Sequence, residues 1–161
     1  MQKPTRRELL LLLGLIAVAA FLASHNVVRA QQSAKPQVFS EFRSKLALDG
    51  YDPVAYFKSG KAMKGSAEQA VTWNGATWNF ASTENKAAFE ASPQAYAPQF
   101  GGYCAWAVSQ GYTAKGDPNN WRIVGGRLYV NYNASVQRNW EKDIPGHIAK
   151  GDKNWPVVLS K

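Results

Sequence analysis

Hydrophobic and polar positions change their period several times along this chain. Leu9 to Ala23 is a continuous apolar run behind a basic start at Lys3, Arg6 and Arg7, and it is too short to span a bilayer comfortably. Val28-Arg29-Ala30 follows as a small-residue cleavage pattern. Together these predict a signal peptide over residues 1–30. Its Thr5-Arg6-Arg7-Glu8-Leu9-Leu10 segment fits either a twin-arginine or a general secretory route. The Gln, Ser, Lys and Pro of residues 31–36 predict a flexible leader, and residues 37–161 a single domain. At its start, Phe39, Phe42 and Leu46 suit a short amphipathic helix within Val38 to Leu48, after which Leu46-Ala47-Leu48 extends toward a strand. Asp49-Gly50 and Asp52-Pro53 are turn signals, and Pro53 suits the first position of one short helical turn through Tyr56-Phe57.

From Ala70 the period is two. Val71 and Trp73 alternate with polar residues, Asn74-Gly75 supplies the positive φ angles of a tight turn, and Trp78 and Phe80 resume the alternation. Ser82 is a good N-cap and Glu84 suits the positive end of a helix dipole, so a helix is predicted to about Ala91, stopping near Pro93. Beyond Gly101-Gly102, Tyr103 to Val108 is almost all apolar and predicts a buried segment; Gly111 to Asn120 predicts a loop. A second hairpin, Trp121 to Val124 and Arg127 to Tyr132, turns at Gly125-Gly126. Ser135 then caps a final helix with Val136, Trp140 and Ile144 on one face; Pro145-Gly146 breaks it, and Ile148 to Leu159 follows as a tail. No solenoid repeat is visible, although the two hairpin-then-helix units invite comparison. The predicted fold class is α+β: small antiparallel β-hairpins packed against short helices.

Composition narrows the function. The formal net charge is +8, but removal of the signal peptide takes Lys3, Arg6, Arg7 and Arg29 with Glu8, and the remaining cations are scattered singly. No five-residue window is basic enough for a nucleic-acid patch, and cleavage leaves no stable membrane span. With a single cysteine, Cys104, the domain can form no internal disulfide, so its stability rests on the core. Six Trp, seven Tyr and seven Phe supply that core, each buried ring removing about 150–250 Å² from water.

Three segments carry a family resemblance. Phe80-Ala81-Ser82-Thr83-Glu84-Asn85-Lys86-Ala87-Ala88-Phe89 resembles the Phe-Cys-Ser-x-x-Cys-x-x-x-Phe knuckle of the YHS domain family; Trp73 to Asn79 is similar to the hairpin before it, and Asp52-Pro53-Val54-Ala55 to the family's opening Asp-Pro-Val-Cys. The likeness covers about Leu48 to Tyr96. Residues beyond, from Pro98-Gln99-Phe100-Gly101-Gly102-Tyr103-Cys104-Ala105 to Asn154-Trp155-Pro156, resemble a longer bacterial exported subgroup. The resemblance implies an exported, periplasmic or secreted, metal-handling scaffold in which three thiolates have become Ala55, Ala81 and Asn85. Alanine offers no lone pair and an amide is a poor ligand for soft ions, so the resemblance marks these as vestigial metal positions.

The remaining candidates for chemistry are Cys104 and His147. Cys104 is read either as a buried structural cysteine, as a copper, zinc or redox thiol, or as a nucleophile. His147 is either a surface or capping residue, a metal ligand, or the base of a Cys104–His147 pair oriented by Asp143 or Asp152. No Gly-x-Ser-x-Gly, Walker or zinc-protease motif accompanies them, so an enzyme is the less favoured class. Asp49, Asp52 and Asp117 sit in turns and are read as capping residues or as a carboxylate site. Tyr51, Trp73, Trp78, Trp106 and Trp121 are core rings or a pocket lining. The leading functional expectation is a module binding a metal ion or small ligand at the Cys104 region. The alternatives are a metal-free scaffold for a protein partner and a Cys104-dependent thiol redox protein.

Overall fold

The computed structural model describes residues 34–160; the expected signal peptide and the first half of the expected leader, residues 31–33, lie outside them. Two tight turns organise the domain. Asn74-Gly75 (φ 48° and 76°) and Gly125-Gly126 (φ 57° and 72°) both adopt the left-handed conformation that two-residue hairpin turns of matching twist require. The first joins β1 (Ser66–Trp73) to β2 (Ala76–Phe80), the second β3 (Asp117–Val124) to β4 (Arg127–Asn131). Each pair forms its own two-stranded antiparallel sheet. The described residues also form six α-helices, α1 (Ala55–Lys58), α2 (Thr83–Ala91), α3 (Pro93–Tyr96), α4 (Ala105–Ser109), α5 (Ala134–Glu141) and α6 (Ile144–Asn154), and three short 3-10 segments, Leu48–Gly50, Gln99–Gly102 and Val157–Ser160. The architecture is the expected α+β arrangement. None of these helices is long and apolar enough to cross a membrane.

Several sequence expectations are corrected. The stretch from Val38 to Leu48 is no helix: Ser40 bridges Ala47, and Leu46 lies parallel to Thr77. Phe42 on its turn is 85 % exposed, so the three-residue spacing of its rings serves no buried face. β3 begins four residues before Trp121, inside the expected loop, because Asp117 pairs with Asn131 across a bulge that precedes the Trp121–Val130 pair. The cap of α5 is Asn133, whose side chain accepts from Val136 N at 2.9 Å, rather than Ser135. Pro145-Gly146 opens a helix instead of breaking one. Asp143 caps α6 by accepting from Gly146 N, and Pro145 lies in the first turn, where its missing N–H has no intrahelical partner to lose. The expected tail from Ile148 is therefore largely helical. The cap of α2 by Ser82, accepting from Asn85 N at 3.2 Å, and its end at Ala91 match expectation.

The hairpins also match each other, strand for strand. Ser66, Ala70, Val71, Thr72 and Trp73 pair with Phe80, Asn79, Trp78, Thr77 and Ala76. Asp117, Trp121, Arg122, Ile123 and Val124 pair with Asn131, Val130, Tyr129, Leu128 and Arg127 in the same register, with the bulge at the same place. Upstream of each hairpin a left-handed turn (Leu48-Asp49-Gly50; Phe100-Gly101-Gly102) leads into a bridged tyrosine, Tyr51 to Lys64 and Tyr103 to Lys115. Each is followed by a short helix, and a capped helix follows each hairpin. One apolar cluster gathers Val54, Tyr56, Trp78, Phe80 and Phe89, the other Phe100, Val108, Tyr129, Trp140 and Val158. β4 serves both, giving Leu128 and Val130 to the first cluster and Tyr129 to the second.

Candidate functional site

The two bridged tyrosines place one residue each, Asp52 and Cys104, at equivalent corners of the two units. Asp52 is wholly buried, and its carboxylate is fully used. Oδ1 accepts from Val54 N at 2.8 Å and Ala55 N at 3.2 Å, which caps α1. Oδ2 accepts from Ala81 N at 2.9 Å and from the Asn85 amide, Nδ2, at 2.7 Å. The structure thus brings Ala55, Ala81 and Asn85 around a single carboxylate. A buried carboxylate is tolerated when donors surround it, and here three backbone amides and one side chain do so.

Cys104 occupies the same corner of the second unit with a thiol in place of the carboxylate. Tyr132 N donates to Sγ at 3.3 Å, and the amides of Ala107 and Trp106 also face the sulfur. These three donors stand where Ala81, Ala55 and Val54 stand around Asp52. The thiol in turn lies 3.8 Å from Asn131 Oδ1, which also accepts from Trp106 N at 3.1 Å. Burial pushes the Cys104 pKa up, and the facing amides offset this only in part, so the group is a thiol and not a thiolate at neutral pH. The residue is 1 % exposed.

The fourth position separates the two corners. Where Asn85 closes the first by bonding to the carboxylate, the first turn of α5 carries Val136, which has no group to offer a thiol. A pocket of about 210 Å³ remains there, walled by Cys104, Ala107, Val136 and Trp106, with Ala114, Tyr112 and Tyr132 completing it. Tyr112 and Tyr132 are 48 % and 55 % exposed, and Tyr112 meets Trp106 edge to face at 6.2 Å. Among the described residues no charged side chain and no histidine lines it. Such a wall suits a small uncharged apolar group.

His147 is not brought to Cys104. Its Nδ1 lies 3.0 Å from Ser109 Oγ, while that hydroxyl bonds Trp106 O at 2.6 Å; no hydrogen bond joins the imidazole to the thiol. Asp143 caps α6, and Asp152 faces Arg127 at 3.8 Å, so neither orients His147. Asp49 pairs with Lys115 at 2.9 Å, and Asp117 accepts from Asn119 N and Asn120 Nδ2 in its turn. Among the described residues no group of three or more His, Cys, Asp or Glu side chains is placed to hold a metal ion. The YHS-type metal also does not fit at Ala55, Ala81 and Asn85, whose one polar side chain is already bonded to Asp52. Of the aromatic candidates, Trp78 is core, Trp121 packs edge to face on Tyr56, Tyr51 lies under the Lys64 ammonium, and Trp106 lines the pocket.

Tyr112, Ala114, Tyr132 and Val136 were not legible as site residues. Superimposing the two hairpin-then-helix units in the sequence would have found Tyr132 and Val136, since they fall on Ala81 and Asn85. No family model, no curated protein and no solved structure matches this chain.

Proposed function

We propose that this chain is an exported, non-enzymatic binding module on a YHS-like scaffold, and that its ligand is a small, uncharged, apolar molecule held at the Cys104 pocket. One observation carries the reading. Of two equivalent corners, the first is filled by the Asn85–Asp52 hydrogen bond, and the second, with Val136 opposite Cys104, is left open and apolar. Burial of apolar ligand surface against Trp106, Tyr112 and Val136 supplies the affinity, at about 25 cal/mol per Å² removed from water. Chemistry at the sulfur is disfavoured by its raised pKa, since the thiolate is the reactive form.

The test is a titration of the purified protein with indole, phenol and benzene, followed by amide shifts of Ala107, Ala114 and Tyr132. Saturable shifts confined to these residues, abolished in Val136→Trp, are expected. Equal shifts in Val136→Trp, or none with any probe, would leave the metal-free scaffold as the better reading. Stoichiometric Cu(I) or Zn(II) binding that requires Cys104 would instead restore the metal reading.

A further inference from the structure

An uncharged recess lies beside the first hairpin turn, with a volume of about 310 Å³, at the lower end of the range of small-molecule sites. Its wall has an unusual composition for a chain of net charge +8. Among the described residues no Lys, Arg, Asp, Glu or His contributes to it, and apart from indole N–H groups its polar side chains are four amides: Gln37, Asn74, Gln94 and Gln99. Two half-buried indoles, Trp73 and Trp155, accompany them. We propose that this cleft binds a neutral saccharide of one or two rings.

Ligand classes differ in what they would leave unsatisfied here. An ion would meet no counter-charge, and burying it unpaired is costly. A wholly apolar ligand would strip water from amides without replacing their hydrogen bonds. Each amide carries both donors and an acceptor, which matches hydroxyl groups that donate and accept at once. Within the described residues, these groups are available. Asn74 Nδ2 reaches Gln37 Oε1 only at the 3.5 Å limit, and no hydrogen bond engages the side chains of Gln94 or Gln99. Sugar rings also present a face of C–H bonds, which packs on the negative face of an aromatic ring. Trp73 and Trp155 are braced for such stacking. Trp73 is held edge to face on Phe89 at 5.7 Å, and Trp155 lies 5.9 Å from both Phe100 and Tyr103. Pre-positioned rings lose little freedom on binding. The remaining neutral class, an extended peptide, is the competitor that the experiment tests directly, since beside the hairpin turn, α3 and the 3-10 segment Gln99–Gly102 the wall also holds Trp73 of β1 and Trp78 of β2.

The experiment uses the purified protein and glucose, N-acetylglucosamine, maltose and cellobiose at up to about 50 mM, covering the weak end of the affinity scale. Side-chain amide and indole N–H shifts are the readout. Saturable shifts of Gln94, Gln99 and the Trp73 and Trp155 indoles are expected with at least one sugar. In the Gln94→Ala/Gln99→Ala double variant the affinity should fall by about tenfold or more, one lost net hydrogen bond being worth roughly that factor. Its melting temperature should not move, because neither side chain has a hydrogen-bond partner among the described residues. Glucuronate and glucosamine should bind more weakly than glucose. The proposal is overturned by an absence of shifts with every neutral sugar, by equal affinity in the double variant, by equal binding of the charged sugars, or by tighter binding of a neutral tetrapeptide. None of these outcomes depends on the Cys104 pocket, which Val136→Trp tests separately.

Discussion

Asp52 and Cys104 are two solutions to one backbone problem. At each corner a short helix begins and a strand ends, leaving amides that need an acceptor: Val54, Ala55 and Ala81 in the first, Trp106, Ala107 and Tyr132 in the second. A carboxylate meets that need strongly, and sulfur meets it weakly. The native thiol should therefore alkylate slowly with iodoacetamide at neutral pH, and its rate should rise only at a pH above that at which the unfolded protein reacts, because burial raises the Cys104 pKa and only the thiolate attacks. A rate at pH 7 equal to that of the denatured chain would contradict the burial argument. The likeness of the corners also invites a transplant. Cys104→Asp alone places a carboxylate facing an apolar pocket, whereas Cys104→Asp with Val136→Asn rebuilds the Asp52–Asn85 arrangement. The double variant should be more stable than the single one by about 1–3 kcal/mol, the scale of a satisfied against an unsatisfied buried polar group. Chemical denaturation measures it, and a double variant no more stable than Cys104→Asp would show that the corners are not interchangeable.

Matching elements leave matching constraints. A Cβ at Gly65 would fall on the backbone of Asn79, and one at Gly116 on Val130 and the carbonyl of Gly102. Neither glycine has a positive φ, so the requirement is room for close strand approach and not backbone conformation. Gly65→Ala and Gly116→Ala should each destabilise by about 1–3 kcal/mol, the usual cost of forcing extra volume into a packed site. Gly60, whose Cβ would meet nothing within 4 Å, is the control for substitution into open space, carrying only the strain of its positive φ. Denaturation midpoints of the three variants decide it, and an unperturbed Gly116→Ala would mean that β3 and β4 can separate freely. What the sequence disclosed at this scale obeys the same logic. The first hairpin and α2 were legible because Trp73, Trp78 and Phe80 alternate over one buried face and Ser82 announces its helix. The start of β3 was not, because Asp117 to Asn120 are polar and a bulge shifts their pairing. α6 was hidden by Pro145-Gly146, residues that stop a helix in its interior but are harmless in a first turn capped by Asp143. The likeness of the units was legible only as a loose comparison: apart from Gly75 and Gly126, no matched position in the hairpins shares a residue, and the consecutive apolar Leu128, Tyr129 and Val130 of β4 lack the apolar–polar alternation of Ala76 to Phe80 in β2.

At the scale of the whole fold, that double burial of β4 makes two similar units into one cooperative structure. Leu128 and Val130 complete the first apolar cluster while Tyr129, between them in sequence, stacks on Trp140 at 5.4 Å in the second. Tyr56 of α1 adds a cross-link by donating to Pro118 O at 2.9 Å. Lys115 adds another, holding Glu41 and Asp49 at 2.8 and 2.9 Å; these ion pairs are solvent-exposed and contribute little to stability. Neither unit can then unfold while the other keeps its core, since removing β4 strips both clusters at once. Leu128→Ala, although its side chain belongs to the first cluster alone, should lower global stability by about 2–5 kcal/mol. It should also raise amide exchange at Trp140 and Val108 of the second cluster as much as at Trp78 and Phe89 of the first, because the slowest-exchanging amides report global opening. Native-state hydrogen exchange provides the measurement. If Leu128→Ala accelerates exchange around Trp78 and leaves Trp140 protected as before, the two units open independently, and β4 is a boundary between them and not their shared core strand.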